Sequence, residues 1–109
     1  MIELEENKKL LENLIKEFDE IKDSMNLDKL KKELKVLEDK TLEDNFWNNP
    51  ESNKIYSKIK SIKEKISSYE KNFNEAITLK ELNELLFIEF DESLKKELLN
   101  NTHKLEKCI

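Results

Sequence analysis

A run of apolar residues at strict four- and three-residue spacing constrains this chain more than any other feature. The run consists of Ile55, Ile59, Ile62, Ile66, Tyr69, Phe73 and Ala76. Residues at these alternating steps lie on one narrow stripe of an α-helix, which is the seam that a coiled coil buries. Four leucines continue the stripe with a shifted phase, namely Leu79, Leu82, Leu85 and Leu86. The spacing therefore predicts one long helix over about residues 50–88.

A second stripe precedes the first in the chain. It is formed by Leu4, Leu11, Leu14, Phe18, Ile21 and Met25, and Asn7 fills its one missing position. The register slips at Asn26 and then resumes with Leu27, Leu30, Leu34 and Leu37. Either one helix over about residues 2–40 bends near residues 25–27, or Asn26 caps a second helix. Because glycine and proline are absent from this stretch, we favour one helix with a bend.

A third stripe closes the sequence. Asp91 has the position of an N-cap, and it is followed by Leu94, Leu98, Leu105 and either Cys108 or Ile109. We therefore predict a helix over about residues 91–108. Two long helices of nearly equal length, joined by a short corner, favour an antiparallel hairpin. The prediction is an all-α fold: one domain over residues 1–109, an up-down-up three-helix bundle with a coiled-coil-like hairpin. Since the chain stops inside an apolar stripe, we expect it to be a fragment of a longer chain.

The corner between the two long helices carries the most specific residues of the chain. Phe46 and Trp47 are adjacent large aromatics in a loop, directly before Asn49 and Pro50. Asn49 is a good N-cap, and Pro50 suits the first helical position, where its missing N–H costs nothing. The aromatics have two interpretations. We favour a packing plug that covers the end of the hairpin, and the alternative is an exposed Trp47 that inserts into a partner.

Charge is high and unevenly distributed. All 20 basic residues are lysine, the formal net charge is −5, and a lysine-rich segment follows the corner. Lys54, Lys58 and Lys65 share one side of the predicted second helix. They are candidate contacts for an RNA backbone. We favour the structural alternative, in which they flank the seam and face acids of the first helix.

The sequence offers little catalytic chemistry. Glycine is absent, which excludes phosphate-cradling loops, and the single histidine, His103, has no matching nucleophile beside it. We therefore predict that the chain is not an enzyme and holds no cofactor or metal. A single cysteine, Cys108, and a polar N-terminus favour a soluble protein of the reducing cytoplasm, and no apolar run reaches the length of a membrane span.

In the order of these features, the chain resembles the N-terminal domain of the bacterial peptide chain release factor 2 family. Members of that family are class I release factors. The resemblance rests on the leucine pattern at Leu27–Leu34 and on the corner at Glu43–Glu51, where asparagine fills two usually acidic places. Three later features follow in the family's order: the helix end at Leu82–Leu86, the acidic break at Glu89–Glu92 and the third helix. Only the corner is specific, since heptad helices match many proteins.

The resemblance implies a cytoplasmic protein that acts at UGA and UAA stop codons on the ribosome. It implies that this domain makes accessory contacts with the stalk base of the large subunit. Ribosomal RNA backbone is a further candidate partner. The family's Ser-Pro-Phe decoding motif and Gly-Gly-Gln hydrolysis motif are absent from this sequence. Two alternatives stay open: an RNA-binding helical hairpin, and a free-standing coiled-coil adaptor or oligomerisation module. The adaptor predicts a stable oligomer, whereas the release-factor interpretation predicts a monomer or weak dimer.

Overall fold

A computed structural model describes residues 2–109, which form four α-helices and a short 3-10 turn and contain no strand. Helix α1 spans Ile2–Met25, α2 spans Leu27–Lys40, α3 spans Ser52–Ile88 and α4 spans Glu92–Glu106. The 3-10 turn, Phe46–Asn48, lies between α2 and α3. The predicted all-helical class is confirmed.

The first predicted helix is divided into two by Asn26. This residue adopts a left-handed backbone conformation, with φ 58° and ψ 56°. A single left-handed residue interrupts the helical hydrogen-bond ladder, and asparagine tolerates that conformation better than most residues. The ladder restarts at once, because the Leu30 N–H donates to the Asn26 carbonyl at 3.0 Å. The chain therefore forms two helices on either side of Asn26, within the stretch 25–27 where the sequence predicts a bend or a new helix start, and the Asn26 side chain makes no capping hydrogen bond.

The chain divides into two compact units. One unit, called here the network unit, comprises the chain up to Ile21 together with Glu70–Ile109, and the other, the corner unit, comprises Lys22–Tyr69. The network unit thus contains segments of three helices, and the corner unit contains α2, the 3-10 turn and the first half of α3.

The network unit is built around an apolar core that includes three polar residues. Its buried residues come from all three helical segments: Leu4, Asn7, Leu11, Leu14, Phe18, Ala76, Leu79, Asn83, Leu86, Leu98, Thr102 and Leu105. The seam of α3 shifts phase here, so that Asn83 is fully buried and Leu85 is exposed. The expectation that Leu85 continues the buried stripe is therefore wrong.

The three buried polar side chains form one hydrogen-bonded network. The Asn7 side-chain amide donates to Asn83 Oδ1 at 2.8 Å and to Thr102 Oγ1 at 3.2 Å. The Asn83 amide in turn donates to the Leu4 carbonyl at 3.0 Å, and the Thr102 hydroxyl donates to the Leu98 carbonyl at 2.8 Å. No buried side-chain nitrogen or oxygen among the described residues lacks a partner. Because an unpaired buried polar group is costly, the network favours one alignment of the three helical segments.

The corner unit has a thinner core. Its buried apolar residues are Leu27, Leu37, Phe46, Ile59, Ile62, Ile66 and Tyr69. The isoleucines are those of the predicted seam, so the four-three spacing correctly identifies the buried side of α3. An ion pair between Glu38 of α2 and Lys63 of α3, at 3.3 Å, flanks this core.

Helix α4 begins where the sequence indicates. Asp91 has extended backbone angles, and its side chain accepts a hydrogen bond from the Leu94 N–H at 3.1 Å. This is the hydrogen bond of an N-cap residue, so the predicted cap is confirmed. At the other end, Cys108 and Ile109 follow the last helical residue and are exposed rather than part of the buried stripe.

Candidate interaction site

The corner between α2 and α3 is shaped by a second left-handed asparagine. Asn45 has φ 65° and ψ 15°, and the 3-10 turn of Phe46–Asn48 follows it directly. The Asn48 N–H donates to the Asn45 carbonyl and the Asn49 N–H donates to the Phe46 carbonyl, both at 3.0 Å. These short-range hydrogen bonds hold the two aromatic side chains on one tight turn.

Phe46, Trp47 and Tyr56 form a three-ring cluster at this corner. The Trp47 and Tyr56 rings are stacked, with centroids 5.4 Å apart and planes 24° from parallel. The Phe46 ring meets Trp47 edge-on at 5.5 Å and lies 5.8 Å from Tyr56. Such geometries are favourable for aromatic pairs, so the cluster orients the Trp47 ring on the surface.

The two aromatics of the corner differ in exposure. Phe46 is 4% exposed, whereas Trp47 is 72% exposed and Tyr56 is 42% exposed. The plug interpretation therefore describes Phe46 only, and for Trp47 it is wrong. Burial of one ring fixes the turn, and stacking on Tyr56 leaves the outer face of Trp47 in solvent. Tyr56 was not among the predicted site residues, because it lies beside the seam residue Ile55 and no repeated spacing distinguishes it.

Asn49 and Pro50 form the start of the chain's turn into α3. The Glu51 N–H donates to Asn49 Oδ1 at 2.8 Å, and the Ser52 N–H donates to the Asn49 carbonyl at 3.1 Å. Asn49 has extended backbone angles, as an N-cap residue does. Pro50 and Glu51 lie in a turn, and the regular α-helix begins at Ser52.

The three predicted lysines of α3 lie on the surface. Lys54, Lys58 and Lys65 are exposed, and none of them makes an ion pair within residues 2–109. Among the described residues, the structure therefore shows no ion pair between these three lysines and acids of the first helix, and their role stays a prediction. Lys63 makes an ion pair with Glu38 that joins α3 to α2. The charges of the three lysines are left available to other molecules.

Two of these lysines border an open groove of the corner unit. The groove has a volume of about 710 Å³ and lies between the end of α2 and the first turns of α3. Leu37 and Ile55 line it together with Lys40, Lys54 and Lys58. Lys40 was not among the predicted site residues, because on the sequence it is one of many charged residues near the end of a helix.

Other reactive groups are dispersed. His103 is exposed and its Nδ1 lies 3.6 Å from a carboxylate oxygen of Glu106. No group of three or more potential metal ligands occurs among residues 2–109. In the network unit, a hydrogen bond from Lys95 to Glu3 at 3.0 Å raises the pKa of Lys95, an effect that burial partly opposes and the charges of Glu3 and Glu92 reinforce.

None of the described helices combines the length and apolar content that crossing a lipid bilayer demands.

Comparison with known proteins identifies one relative by sequence. Peptide chain release factor 2 of Petrotoga mobilis is 36% identical to the chain over 76 residues. The match covers 69% of this chain and 20% of the relative, so the chain spans about a fifth of that protein's length. Protein-family profiles give no match. Solved structures give none either. Over those 76 residues the chain is related to part of a peptide chain release factor 2.

Proposed function

We propose that this chain is the N-terminal helical domain of a translation termination factor that releases the finished peptide at UGA and UAA codons. The observation that carries the proposal is the 36% identity over 76 residues to a peptide chain release factor 2. The Phe46–Pro50 corner adds to it, because that segment is the specific part of the resemblance. The proposal assigns no catalysis to the domain itself: the sequence contains neither the decoding motif nor the hydrolysis motif.

The proposal includes an up-down-up arrangement of the network unit. Two contacts between α1 and α4 support it: Glu3 pairs with Lys95, and Asn7 bonds to Thr102. The later residue of α1, Asn7, contacts the later residue of α4, Thr102, as expected for two parallel helices. Three residues separate α3 from α4, namely Glu89, Phe90 and Asp91, and so short a connection favours antiparallel neighbours. In the corner unit we propose a coiled-coil-like hairpin of α2 with α3, supported by the Glu38–Lys63 ion pair.

The proposed partner is the ribosome, at the stalk base of the large subunit, and the proposed location is the cytoplasm. The exposed Trp47 supports a contact role, since tryptophan is enriched among the residues that dominate binding interfaces. The domain is proposed to act as a monomer in dilute solution, because Asn7, Asn83 and Thr102 complete their hydrogen bonds within one chain.

A second candidate function is an RNA-binding helical hairpin. It is favoured by the exposure of Lys54, Lys58 and Lys65, whose ammonium groups are free to contact phosphates. Ribosomal RNA backbone is one such target. Binding of this kind falls steeply as salt concentration rises, because phosphate contacts release condensed counterions.

A domain graft tests the termination role directly. The segment of Petrotoga mobilis release factor 2 that matches this chain is replaced by the chain, and peptide release is measured on ribosomes stopped at UGA, UAA or UAG. We expect the graft to release peptide at UGA and UAA more rapidly than a deletion variant that lacks the segment. An unrelated helical bundle of similar length serves as the control. A graft no more active than the deletion variant contradicts the proposal.

A binding measurement separates the alternatives. The chain is sedimented with purified large ribosomal subunits and, separately, with a ribosomal RNA hairpin, and its mass is measured alone. The termination role predicts binding to subunits by a monomer. Binding to the RNA hairpin alone, lost in Lys54→Glu/Lys58→Glu/Lys65→Glu, favours the RNA-binding hairpin. A stable oligomer that binds neither favours the coiled-coil adaptor.

A further inference from the structure

The groove of the corner unit has an apolar floor and a basic rim. Leu37 of α2 is buried at its base and Ile55 of α3 is half-buried beside it. Lys40, Lys54 and Lys58 border this floor, and Glu51 is the one acid that lines the groove. A surface of this kind presents apolar area and positive charge within the same few turns of helix.

The three lysines have no competing ion pair. Within residues 2–109, neither Lys40 nor Lys54 nor Lys58 lies within ion-pair distance of a carboxylate. The nearby ion pair of the unit uses Lys63 and Glu38 instead. Acidic groups of an incoming molecule would therefore meet ammonium groups that need not first break a contact.

The dimensions of the groove match a short helix. Its α3 side extends from Asn53 to Ser61, which is about 12 Å of helix at 1.5 Å per residue, or a little over two turns. The small side chains of Ser57 and Ser61 lie along this side. Small residues leave room for another helix to approach closely, and Leu37 and Ile55 can receive its apolar side chains.

We propose that this groove binds an acidic amphipathic helix of a partner protein, whose apolar stripe packs on Leu37 and Ile55 while its flanking carboxylates pair with Lys40, Lys54 and Lys58. This is the mode in which an amphipathic helix lies in an apolar groove, and the charges fix its orientation. The inference goes beyond the termination role and does not depend on it.

The chemistry favours a protein helix over RNA as the occupant. A phosphate backbone would satisfy the lysines but would leave the apolar floor of Leu37 and Ile55 uncovered. Bases of single-stranded RNA stack on aromatic rings, and neither Trp47 nor Tyr56 is among the residues that line the groove. Arginine, which recognises phosphate in a bidentate manner, is absent from the chain.

A synthetic peptide tests the inference with the full chain. The probe is a fluorescein-labelled helix of about 14 residues, with leucines spaced to form one stripe and glutamates beside them. A matched peptide carries lysine in place of every glutamate. Binding is measured by fluorescence anisotropy to the unmodified chain, to Lys54→Glu/Lys58→Glu, and to Ser57→Glu, which places an acid inside the groove.

The control variant Lys96→Glu/Lys104→Glu changes the net charge as much as Lys54→Glu/Lys58→Glu does, but on α4, outside the groove. Circular dichroism and Trp47 fluorescence verify that each variant is folded. We expect the acidic peptide to bind and the basic peptide not to bind. We expect at least about a tenfold loss of affinity in both groove variants and almost none in the control. In Lys54→Glu/Lys58→Glu, attraction to the peptide's carboxylates becomes repulsion, and Ser57→Glu adds a larger, negatively charged side chain to the groove.

Three results would overturn the inference. The first is an acidic peptide that does not bind, or that binds all variants equally. The second is an RNA hairpin that binds the unmodified chain and loses at least about tenfold in affinity in both groove variants, which would assign the groove to nucleic acid. The third is self-association of the unmodified chain that the groove variants abolish, which would make a second copy the occupant.

Discussion

The network unit and the corner unit differ in how completely they enclose their apolar side chains. In the network unit, Leu11 and Leu98 are fully buried, and Asn83 is buried with them. In the corner unit, the most buried apolar side chain is that of Phe46, and Trp47 lies largely in solvent. Three helical segments can surround a core, whereas two form a thin layer with open sides. The network unit therefore fixes the alignment of its helical segments through an enclosed core, whereas the corner unit has a thin core with an exposed aromatic ring beside it.

Matched truncations of buried leucines test this difference with the largest expected effect. Leu11→Ala should lower the free energy of unfolding by about 3–5 kcal/mol, because the cavity it leaves is surrounded on all sides. Leu37→Ala should lower it by about 2 kcal/mol or less, since the groove already opens beside Leu37. Urea denaturation followed by circular dichroism measures both. Leu11→Met, which nearly conserves volume, is the control, and equal losses in the two alanine variants would contradict the comparison.

The buried polar network provides the second test. Asn83→Ala removes the hydrogen bonds to Asn7 and to the Leu4 carbonyl, so that the buried Asn7 amide loses one of its two acceptors. We expect a loss of about 2–3 kcal/mol in the free energy of unfolding, measured by the same denaturation. Asn74→Ala, at an exposed position of the same helix, should change it by less than about 0.5 kcal/mol. If both variants lose the same free energy of unfolding, the buried hydrogen bonds of Asn83 add no stability beyond that of an exposed asparagine.

Substitutions of Asn26, between α1 and α2, should change stability in a direction that depends on the new residue. Asn26 is left-handed, a conformation that glycine adopts freely and alanine does not. Asn26→Gly should therefore raise the melting temperature slightly or leave it unchanged, and Asn26→Ala should lower the free energy of unfolding by about 1 kcal/mol. If Asn26→Ala is instead the more stable variant, the chain prefers a continuous helix across this position. That result would contradict the left-handed break between α1 and α2.

The smallest expected effect concerns the surface contact between Lys95 and Glu3. The hydrogen bond to Glu3 raises the pKa of Lys95 above its ordinary value of 10.5, so the folded state holds this proton more tightly than the unfolded state. The contribution to stability is fully present below that value and is lost as pH rises through the folded-state pKa. Glu3→Gln should lower the melting temperature slightly at neutral pH.

The Glu3→Gln difference should shrink at a pH above the folded-state pKa of Lys95, where Lys95 loses its charge, and it should also shrink in high salt. Glu20→Gln, at an exposed position of α1, serves as the control and should have no such pH dependence. A Glu3→Gln effect that stays constant up to and beyond that pH would contradict the assignment to Lys95.

The sequence predicts the helices well because burial of a helix follows a spacing that can be counted. Ile59, Ile62 and Ile66 repeat at steps of three and four, and all are buried. Asn83 and Thr102 follow the same rule, since Asn83 lies between Leu79 and Leu86 on the stripe, and Thr102 lies between Leu98 and Leu105. That spacing is the signal in the sequence that identifies both residues as members of the buried network.

Features that depend on a single residue's surroundings could not be predicted from spacing. Asn26 suits both a helix and a left-handed break, so the sequence left both alternatives open. The exposure of Trp47 depends on the direction in which the 3-10 turn points its ring, and adjacent aromatics give no information on that direction. Whether Lys63 or Lys65 pairs with Glu38 depends on how α2 and α3 align, which charge pattern alone does not determine.

Native-state hydrogen exchange of backbone amides tests the central difference most directly, because exchange reports the opening free energy residue by residue. We expect the slowest amides in the network unit, in α1 up to Ile21, α3 from Glu70 onward and α4. Amides of Lys22–Tyr69 should exchange faster, and Asn83→Ala should reduce the difference. Uniform protection along the chain, or the slowest exchange within Lys22–Tyr69, would contradict it.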